Sequence, residues 1–309
     1  MKELEACQNK LAISTTGADL VKEFIEFIDV KPASAKTYKK AVVQFLRYLD
    51  AQNIRQPKRN DVIAWRESLK ENHAAATVQT YIIAVRKFFK WTSTTGYYPN
   101  IAESVKGAKV SKLHKRDYLT ADQAKVFLEN IDQSKKNGLR DYAIILLMIS
   151  CGLRDIEVSR AKIGDLTTKA GHTILFLQGK GRDNKDEYII IPATVEKAIR
   201  KYLATRNGVT SDQALFTSTS NRNKNKELST RTIGGIVKRE LVCAGFESKR
   251  LTAHSMRHTA ATLALLGGCN IREVQQFLRH ASINTTQIYA HDLDAISNKC
   301  SDVVANAIA

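Results

Sequence analysis

The sequence lacks any apolar run that approaches the roughly 20 residues needed to cross a bilayer. Its first ten residues, MKELEACQNK, contain no apolar segment of the kind found in a secretory signal peptide. Repeats of fixed period and low-complexity segments are also missing. These absences predict a globular protein without membrane contact, and we expect it to be soluble and cytoplasmic.

Closely spaced cysteines are missing as well. The five cysteines are dispersed, odd in number, and form neither a C-x-x-C pair nor a close Cys/His cluster. This distribution argues against a disulfide framework and against a zinc module. We predict reduced thiols, with Cys151 and Cys243 acting as small buried apolar residues within helices.

Acidic residues are in short supply relative to basic ones. The 309-residue chain of 34.5 kDa has 31 Asp and Glu against 48 Lys and Arg, which leaves a net charge of +17 and a pI near 9.6. Such a balance is typical of proteins that bind a polyanion, and nucleic acid is a better candidate than a membrane surface. The length predicts two domains, each large enough for its own core.

The first domain is predicted to be all-helical over residues 15–107. Apolar residues recur there at helical spacing, with a third helix starting at the cap Asp61 and a fourth over 75–94 that ends at Gly96. The aromatic residues fall on the inward period, so they indicate a core rather than a base-stacking platform. Basic residues of this domain are either DNA contacts or parts of a solvated face. The DNA-binding candidates are Lys36, Lys39, Lys40, Arg86, Lys87 and Lys90.

A basic stretch over 108–117, AKVSKLHKRD, has no apolar period and is predicted to be a linker. The second domain, 118–309, begins with a capping box formed by Thr120 and Gln123. It contains an apolar helix over 138–151 that stops at Gly152, two strands over 173–177 and 188–191, and several further helices. The predicted fold class is therefore mainly α with a small β-sheet, an α+β architecture.

Several residues of the second half could together carry out phosphodiester exchange without a metal. That reaction needs a nucleophile, a positive clamp for the charged transition state, and a proton donor for the departing oxygen. The motifs are CGLRDIEV, GKG, HSMRH, LRHAS and NTTQIYAH. They contribute Arg154, Lys180, His254, Arg257, His280 and Tyr289.

The order of these motifs resembles that of the tyrosine recombinase family, which includes phage integrases and Xer recombinases. The resemblance spans most of the second half, and the helical first half is consistent with the family's SAM-like core-binding domain. It implies a C-shaped clamp around double-stranded DNA recombination sites, in which the basic linker joins the two domains. The implied reaction is cleavage through a covalent 3′-phosphotyrosine and a Holliday junction, with no metal and no other cofactor.

The resemblance also implies residue roles. Arg154 and Arg257 bind the non-bridging oxygens of the scissile phosphate, for which a permanently charged, planar guanidinium is suited. Glu157 orients Arg154. Lys180, on a hairpin that can reach the minor groove, is the general acid. Two other basic residues share that turn, Arg182, a further DNA-binding candidate, and Lys185.

Two histidines and the tyrosine complete the implied site. His254 transfers a proton, as suits its ordinary pKa near 6.5, and His280 hydrogen-bonds the phosphate. The family usually has Gly before that His, whereas this chain has Arg279, so the backbone turn is an open question. Asn270 followed by Glu273 nevertheless predicts a capping box, and the helix that it starts places His280 at the helix end. Tyr289 is the nucleophile; its phenol, with an ordinary pKa near 10, needs cationic surroundings to become reactive. We expect His258 to be structural.

A zinc site is the alternative use of the histidines. The sequence has no H-E-x-x-H motif and no carboxylate at suitable spacing among these histidines, which argues against a metal. The histidines concerned are His254, His258, His280 and His291.

The C-terminal segment, about 293–308, has apolar residues at helical spacing. They are Ile296, Cys300, Val303, Val304 and Ile308. The resemblance implies an exchange helix that docks on a neighbouring subunit, giving a tetramer on two DNA duplexes; packing on its own domain is the alternative.

Two other functions stay open: a type IB topoisomerase that relaxes DNA as a monomer, and a DNA-binding protein of the same fold without catalysis. Without an extra arm-binding domain, we expect a simple recombinase that recognises core sites only. Its biological use, in mobile-element integration or in Xer-type chromosome dimer resolution, is not specified by these residues.

Overall fold

The computed structural model describes residues 17–109, 117–179, 184–297 and 300–308. By internal contacts the chain divides into two compact units, Met1–Lys112 and Leu113–Ala309. Residues 110–116, most of the predicted linker, lie outside the described residues.

The first unit is built from helices, as the apolar periodicity predicts. They are α1 (Gly17–Phe27), α2 (Pro32–Ala51), α3 (Arg59–Asn72) and α4 (Ala75–Thr94). Asp61 is not the cap of α3. It lies one turn inside, where its carboxylate accepts a hydrogen bond of 2.6 Å from the backbone N–H of Lys58, the residue that caps the helix. An acidic residue suits either place, since both face the positive end of the helix dipole.

The aromatic residues of the first unit form its core, as predicted. Phe45 packs edge-on against Trp65, with ring centroids 5.0 Å apart, and Phe24 packs edge-on against Phe88 at 5.4 Å. Phe27 departs from the expectation: it is 58% exposed, because α1 ends there and the side chain lies at the margin of the core beside Trp91.

The six basic candidates of this unit are all exposed. Lys36, Lys39 and Lys40 share one face of α2, since residues three and four apart lie on the same side of a helix. Arg86, Lys87 and Lys90 are related in the same way on α4, which packs against α2.

The second unit combines helices with a small sheet, which confirms the predicted fold class. Its helices are α5 (Ala121–Glu129), α6 (Lys136–Cys151), α7 (Asp155–Arg160), α8 (Ala193–Leu203), α9 (Thr230–Cys243), α10 (Ala253–Leu266), α11 (Ile271–Leu278), α12 (Asn284–Ser297) and α13 (Cys300–Ile308). Its strands are β1 (Leu166–Lys169), β2 (His172–Leu177) and β3 (Glu187–Ile190). The predicted capping box at Thr120 and Gln123 is confirmed, with a 3.3 Å bond from the Gln123 N–H to the Thr120 hydroxyl.

The sheet is antiparallel, with order β1-β2-β3. Leu175 of the central strand pairs with Leu166 on one side and Ile189 on the other. The sequence predicts β2 and β3 but misses β1, because LTTK is short, largely exposed and without an apolar alternation. Residues 180–183, within the β2–β3 connection, lie outside the described residues.

Helix α6 forms much of the second core and ends as predicted at Gly152, whose φ of 60° is left-handed. Cys151 is buried, but the prediction is wrong for Cys243, which is exposed at the end of α9. The buried residues of α9 recur every three to four positions, and position 243 falls off that stripe. Cys151, Cys243 and Cys269 are free thiols.

Within the described ranges, no helix is long and apolar enough to span a membrane.

Candidate active site

A corner between α6 and α7 carries the first arginine of the site. Gly152 takes the left-handed conformation, and a Cβ there would come within 2.7 Å of the Leu278 side chain, so glycine allows α11 to approach this corner. Leu153 is fully buried and anchors the turn. Arg154 then caps α7, and its side chain is partly exposed.

Glu157 holds Arg154 through both carboxylate oxygens. Oε1 accepts from Arg154 Nη1 at 2.8 Å, and Oε2 accepts from the Arg154 backbone N–H at 2.8 Å. Burial alone would raise the pKa of this carboxyl, but the charges of Arg279, Arg154 and Arg257 and the Arg154 N–H outweigh it, so the pKa lies below its ordinary value. Glu157 is therefore an anion that orients Arg154.

Arg257 is a deeply buried cation of the site. It lies on α10, is 1% exposed, and donates hydrogen bonds to the backbone carbonyls of Gly152 and Leu278. Burial, with the nearby charge of Arg154, lowers its pKa to about 9. The side chain thus ties α10 to the ends of α6 and α11 and stays charged at neutral pH.

Arg279 resolves the open question of the turn before His280. Its φ of 55° and ψ of 48° place it in the left-handed region at the C-terminus of α11, so the turn forms without a glycine. The capping box predicted at the other end of this helix is confirmed: Asn270 Oδ1 accepts from the N–H groups of Arg272 and Glu273, both at 3.0 Å.

His280 follows directly and is held by a residue that the motif analysis did not single out. Its Nδ1 lies 2.8 Å from the hydroxyl of Thr286, which is fully buried on α12. Burial lowers the pKa of His280 to about 4, and the charges of Arg257, Arg154, Arg279 and His254 act in the same direction. His280 is therefore neutral at pH 7, and with Nδ1 bonded to Thr286 its Nε2 is available for a further hydrogen bond.

The lowered pKa of His280 has a consequence for stability. An unfolded histidine takes up a proton near pH 6.5, whereas folded His280 resists protonation until about pH 4. The stabilising contribution of this neutral histidine is complete above pH 6.5 and is lost as the pH falls towards 4. We expect the free energy of unfolding to fall less steeply over this window in His280→Gln, measured by denaturant titration. His172→Gln, at an exposed position of β2, should behave like the wild type; equal slopes for all three would contradict the assignment.

Tyr289 lies on α12 in the middle of this cluster. The ring is 4% exposed, with its centroid 4.8 Å from that of His258, edge-on, and 6.3 Å from that of His280, nearly parallel. Tyr289 also interacts electrostatically with Arg257. His258 in turn stacks on Tyr118 with ring centroids 5.5 Å apart, so its ring contacts both Tyr118 and Tyr289.

The remaining candidates lie at the edge of the cluster or outside it. His254 is exposed on the first turn of α10, one turn before Arg257, and interacts electrostatically with His280. Lys180 and Arg182 lie outside the described residues. Lys185, of the same turn, pairs with Asp165 and donates to the Arg160 carbonyl at 3.2 Å.

Two further features bear on the chemistry. Burial raises the pKa of the Cys151 thiol to about 12, so this group beside the site stays protonated and does not compete as a nucleophile. In the part of the chain that the structure describes, no three His, Cys, Asp or Glu side chains come together as a metal site would require.

A tyrosine surrounded by arginine and histidine side chains, on an α+β unit that follows a helical unit, matches one class of DNA-processing enzyme. The phage integrase family model matches residues 117–295, more than half of the chain, and the model of the phage integrase N-terminal SAM-like domain matches 21–96. The chain therefore belongs to the phage integrase family, the tyrosine recombinases, which cleave and rejoin DNA in site-specific recombination.

Similar proteins include several Xer recombinases. Tyrosine recombinase XerC of Caldanaerobacter subterraneus subsp. tengcongensis is 38% identical over 195 residues, which are 62% of this chain but only about half, 52%, of that relative. Tyrosine recombinase XerD of Listeria innocua is 29% identical over 291 residues, covering 88% of this chain and 94% of the relative. Tyrosine recombinase XerA of Pyrococcus furiosus is 29% identical over 277 residues, covering 89% and 90%.

Solved structures show the same fold. The XerH recombinase bound to its palindromic difH substrate, a post-cleavage complex, superposes with a TM-score of 0.75 at 23% identity, covering 97% of this chain and 89% of that one. A lambda integrase dimer bound to a COC′ core site gives a TM-score of 0.69 at 18% identity, covering 89% and 77%.

Proposed function

We propose that this chain recombines specific DNA sites by forming a covalent 3′-phosphotyrosyl bond through Tyr289. The observation that carries the proposal is that Arg154, Arg257, His280 and Tyr289 converge within one unit of one chain. The nucleophile and the groups that would bind the phosphate therefore come from the same subunit.

The two arginines would bind the non-bridging oxygens of the scissile phosphate. Arg257 is fixed by two backbone carbonyls and Arg154 by Glu157, so both cations are oriented before substrate binds. Such preorganised charge acts most strongly where negative charge develops in the transition state. His280, neutral and held by Thr286, would donate its Nε2 proton to the same phosphate.

The bond changes balance without a cofactor. The Tyr289 oxygen attacks phosphorus and loses its proton, for which His254 is the acceptor that we propose. The bond from phosphorus to the 5′ oxygen breaks, and that oxygen takes a proton from Lys180. One phosphodiester replaces another, so the reverse attack by a 5′-hydroxyl rejoins the DNA without ATP or a metal.

The contacts of the neighbouring lysine support Lys180 as the general acid. Because Lys185 is engaged by Asp165 and by the Arg160 carbonyl, it is a poor candidate for a donor that has to reach DNA. Arg160 also donates to the Gly179 carbonyl at 3.3 Å, which anchors the residue before Lys180.

The experiment begins by finding the substrate. Sheared genomic DNA of the organism that encodes the chain is incubated with the protein, and fragments that stay attached after denaturation are sequenced. A nicked duplex of the recovered site should then accumulate a covalent adduct. No adduct with either DNA would contradict the proposal and favour the non-catalytic DNA-binding alternative.

The products separate recombinase from topoisomerase. Two circular plasmids that carry the site should yield recombined products and four-way junction intermediates. Relaxation of supercoils, with no exchange and no dependence on the site, would instead indicate the topoisomerase alternative.

We also propose that both units bind DNA, and that the first unit does so through the exposed lysine and arginine side chains of α2 and α4. Two rows of positive charge on packed helices suit the phosphate backbone. Arg182 is proposed as a contact from the β2–β3 connection.

Tetramer formation through α13 is a further part of the proposal. Val303, Val304 and Ile308 are 65%, 60% and 83% exposed, an apolar face that a second copy could cover. The second unit also has a cavity of about 500 Å³ next to α10 and α11, with an apolar lining that includes Leu263, Val274 and Phe277. We propose that α13 of one subunit occupies this cavity of the next. The side chain of Ile296 lies outside the described residues.

Replacing Val303 and Val304 by Asp should disrupt that assembly. Burying each valine is worth about 1.5 kcal/mol or more, so the subunit contact should weaken by roughly a hundredfold or more. Light scattering of the protein on four-way junction DNA should show loss of the tetramer. Asn306→Asp adds a charge to the same helix at a polar position and should keep it; a tetramer that survives the double substitution would contradict the proposal.

We propose chromosome dimer resolution, which fits the Xer names of the relatives, or movement of a mobile element as the biological use of this recombination. We propose a cytoplasmic location, where such DNA is found.

A further inference from the structure

An arginine occupies a backbone position that normally requires glycine, directly before a histidine of the active site. Arg279 is the left-handed residue after α11, where a glycine is the usual choice because it has no Cβ. A residue other than glycine is strained in this backbone conformation, and contacts with the surrounding structure have to offset that strain.

Those contacts lie inside the active site. The Arg279 side chain is 7% exposed, and its Nη2 lies 2.9 Å from Oε2 of Glu157. Its Nη1 donates to the Phe277 carbonyl at 2.9 Å. Glu157 is 1% exposed, so this carboxylate is shared by two arginines, Arg154 on Oε1 and Arg279 on Oε2.

Sharing affects both geometry and charge. Arg154 holds Oε1 through its side chain and Oε2 through its backbone N–H, and Arg279 adds a third hydrogen bond, on Oε2, that further restrains the carboxylate and the Arg154 guanidinium bound to it. Without Arg279, the full negative charge of Glu157 would act on Arg154 and reduce its attraction for a phosphate. With it, Arg154, Arg257 and Arg279 against one carboxylate leave a net charge of +2 rather than +1.

We infer that Arg279 is a positioning residue: it takes up part of the Glu157 charge and fixes the carboxylate, so that Arg154 presents an oriented and fully effective cation to the scissile phosphate. This inference rests on the proposed function. The contacts of the Arg279 guanidinium, to the Glu157 carboxylate and to the Phe277 carbonyl, assign it an action through Glu157.

The test compares Arg279→Gly with the wild type on the nicked duplex recovered above. Glycine keeps the left-handed turn and removes the charge. If Arg279 served only to form the turn, this substitution would leave the rate of adduct formation unchanged. We expect the rate of adduct formation at saturating protein to fall at least tenfold, with little change in DNA affinity. Arg279→Lys, which keeps the charge but not the planar fork, should recover part of the rate. Arg272→Gln removes an exposed charge from the same helix and should leave the rate unchanged.

A double substitution tests the route of action. If Arg279 works through Glu157, removing Arg279 in a Glu157→Gln background should cost less than threefold, because no carboxylate is left to share. Two losses that multiply would overturn the inference, as would a wild-type rate for Arg279→Gly.

A measurement without DNA separates this inference from the proposed function. His280 is faced by Arg257, Arg154, Arg279 and His254, and loss of one cation eases its protonation. We expect the NMR titration of His280 to move to higher pH in Arg279→Gly and to stay unchanged in Arg272→Gln. An unmoved titration would contradict this placement of the Arg279 charge even if the wild type proved unable to cleave DNA. Absence of an adduct with the wild type would overturn the proposed function alone.

Discussion

Tyr289→Phe should abolish the covalent protein–DNA adduct while leaving the fold intact. The substitution removes the attacking oxygen and keeps the ring that packs between His258 and His280. Loss of an enzymatic nucleophile costs on the order of 10⁶ in rate, which is below detection in a gel assay of nicked-duplex cleavage. Binding to the same duplex should persist, because the arginines and the basic helices are unchanged.

Tyr118→Phe is the matched control for this prediction. Tyr118 also packs on His258, so the change removes a hydroxyl from the same group of packed rings. We expect this variant to form the adduct at close to the wild-type rate. An adduct that persists in Tyr289→Phe and disappears in Tyr118→Phe would identify Tyr118 as the nucleophile and refute the proposed mechanism.

The sequence predicts those parts of the structure that depend on local rules. Helix α11 is an example, because Asn270 followed by Glu273 specifies a capping box from a few neighbouring residues. The stop at Gly152 is another, since a left-handed residue after an apolar helix is usually glycine. The fold class follows from many such local signals added together.

The sequence does not predict features that long-range contacts decide. Arg279 breaks the local expectation of a glycine, and its conformation is stabilised by Glu157, 122 positions earlier in the chain. Likewise, nothing in the segment TTQIYAH distinguishes Thr286 from its polar neighbours, and the contact of its hydroxyl with His280 is seen only in the folded structure. Strand β1 forms because β2 offers it a partner, not because LTTK has the pattern of a strand. The motifs thus identify which residues are candidates, while their mutual support becomes visible only in the folded unit.

Arg257 should prove both catalytic and structural, whereas Arg154 should be mainly catalytic. If each behaves like a donor that stabilises transition-state charge, replacing either by alanine should raise the cleavage barrier by about 3 to 4 kcal/mol, or about 10²- to 10³-fold in rate. The single-turnover rate on the nicked duplex measures this. Arg257→Ala with wild-type cleavage would refute its role.

Stability should separate the two arginines. Arg257→Ala leaves the buried carbonyls of Gly152 and Leu278 without their donor, and an unsatisfied buried polar group costs about 1 to 3 kcal/mol. Arg154 is 26% exposed, and among the described residues its side chain bonds to Glu157, which keeps the backbone N–H of residue 154 and a second arginine after truncation. Denaturant titration should therefore show a clear loss of unfolding free energy for Arg257→Ala and a smaller one for Arg154→Ala. Equal losses would mean that the hydrogen bonds from Arg257 to these two carbonyls do not stabilise the packing of α10 against the ends of α6 and α11.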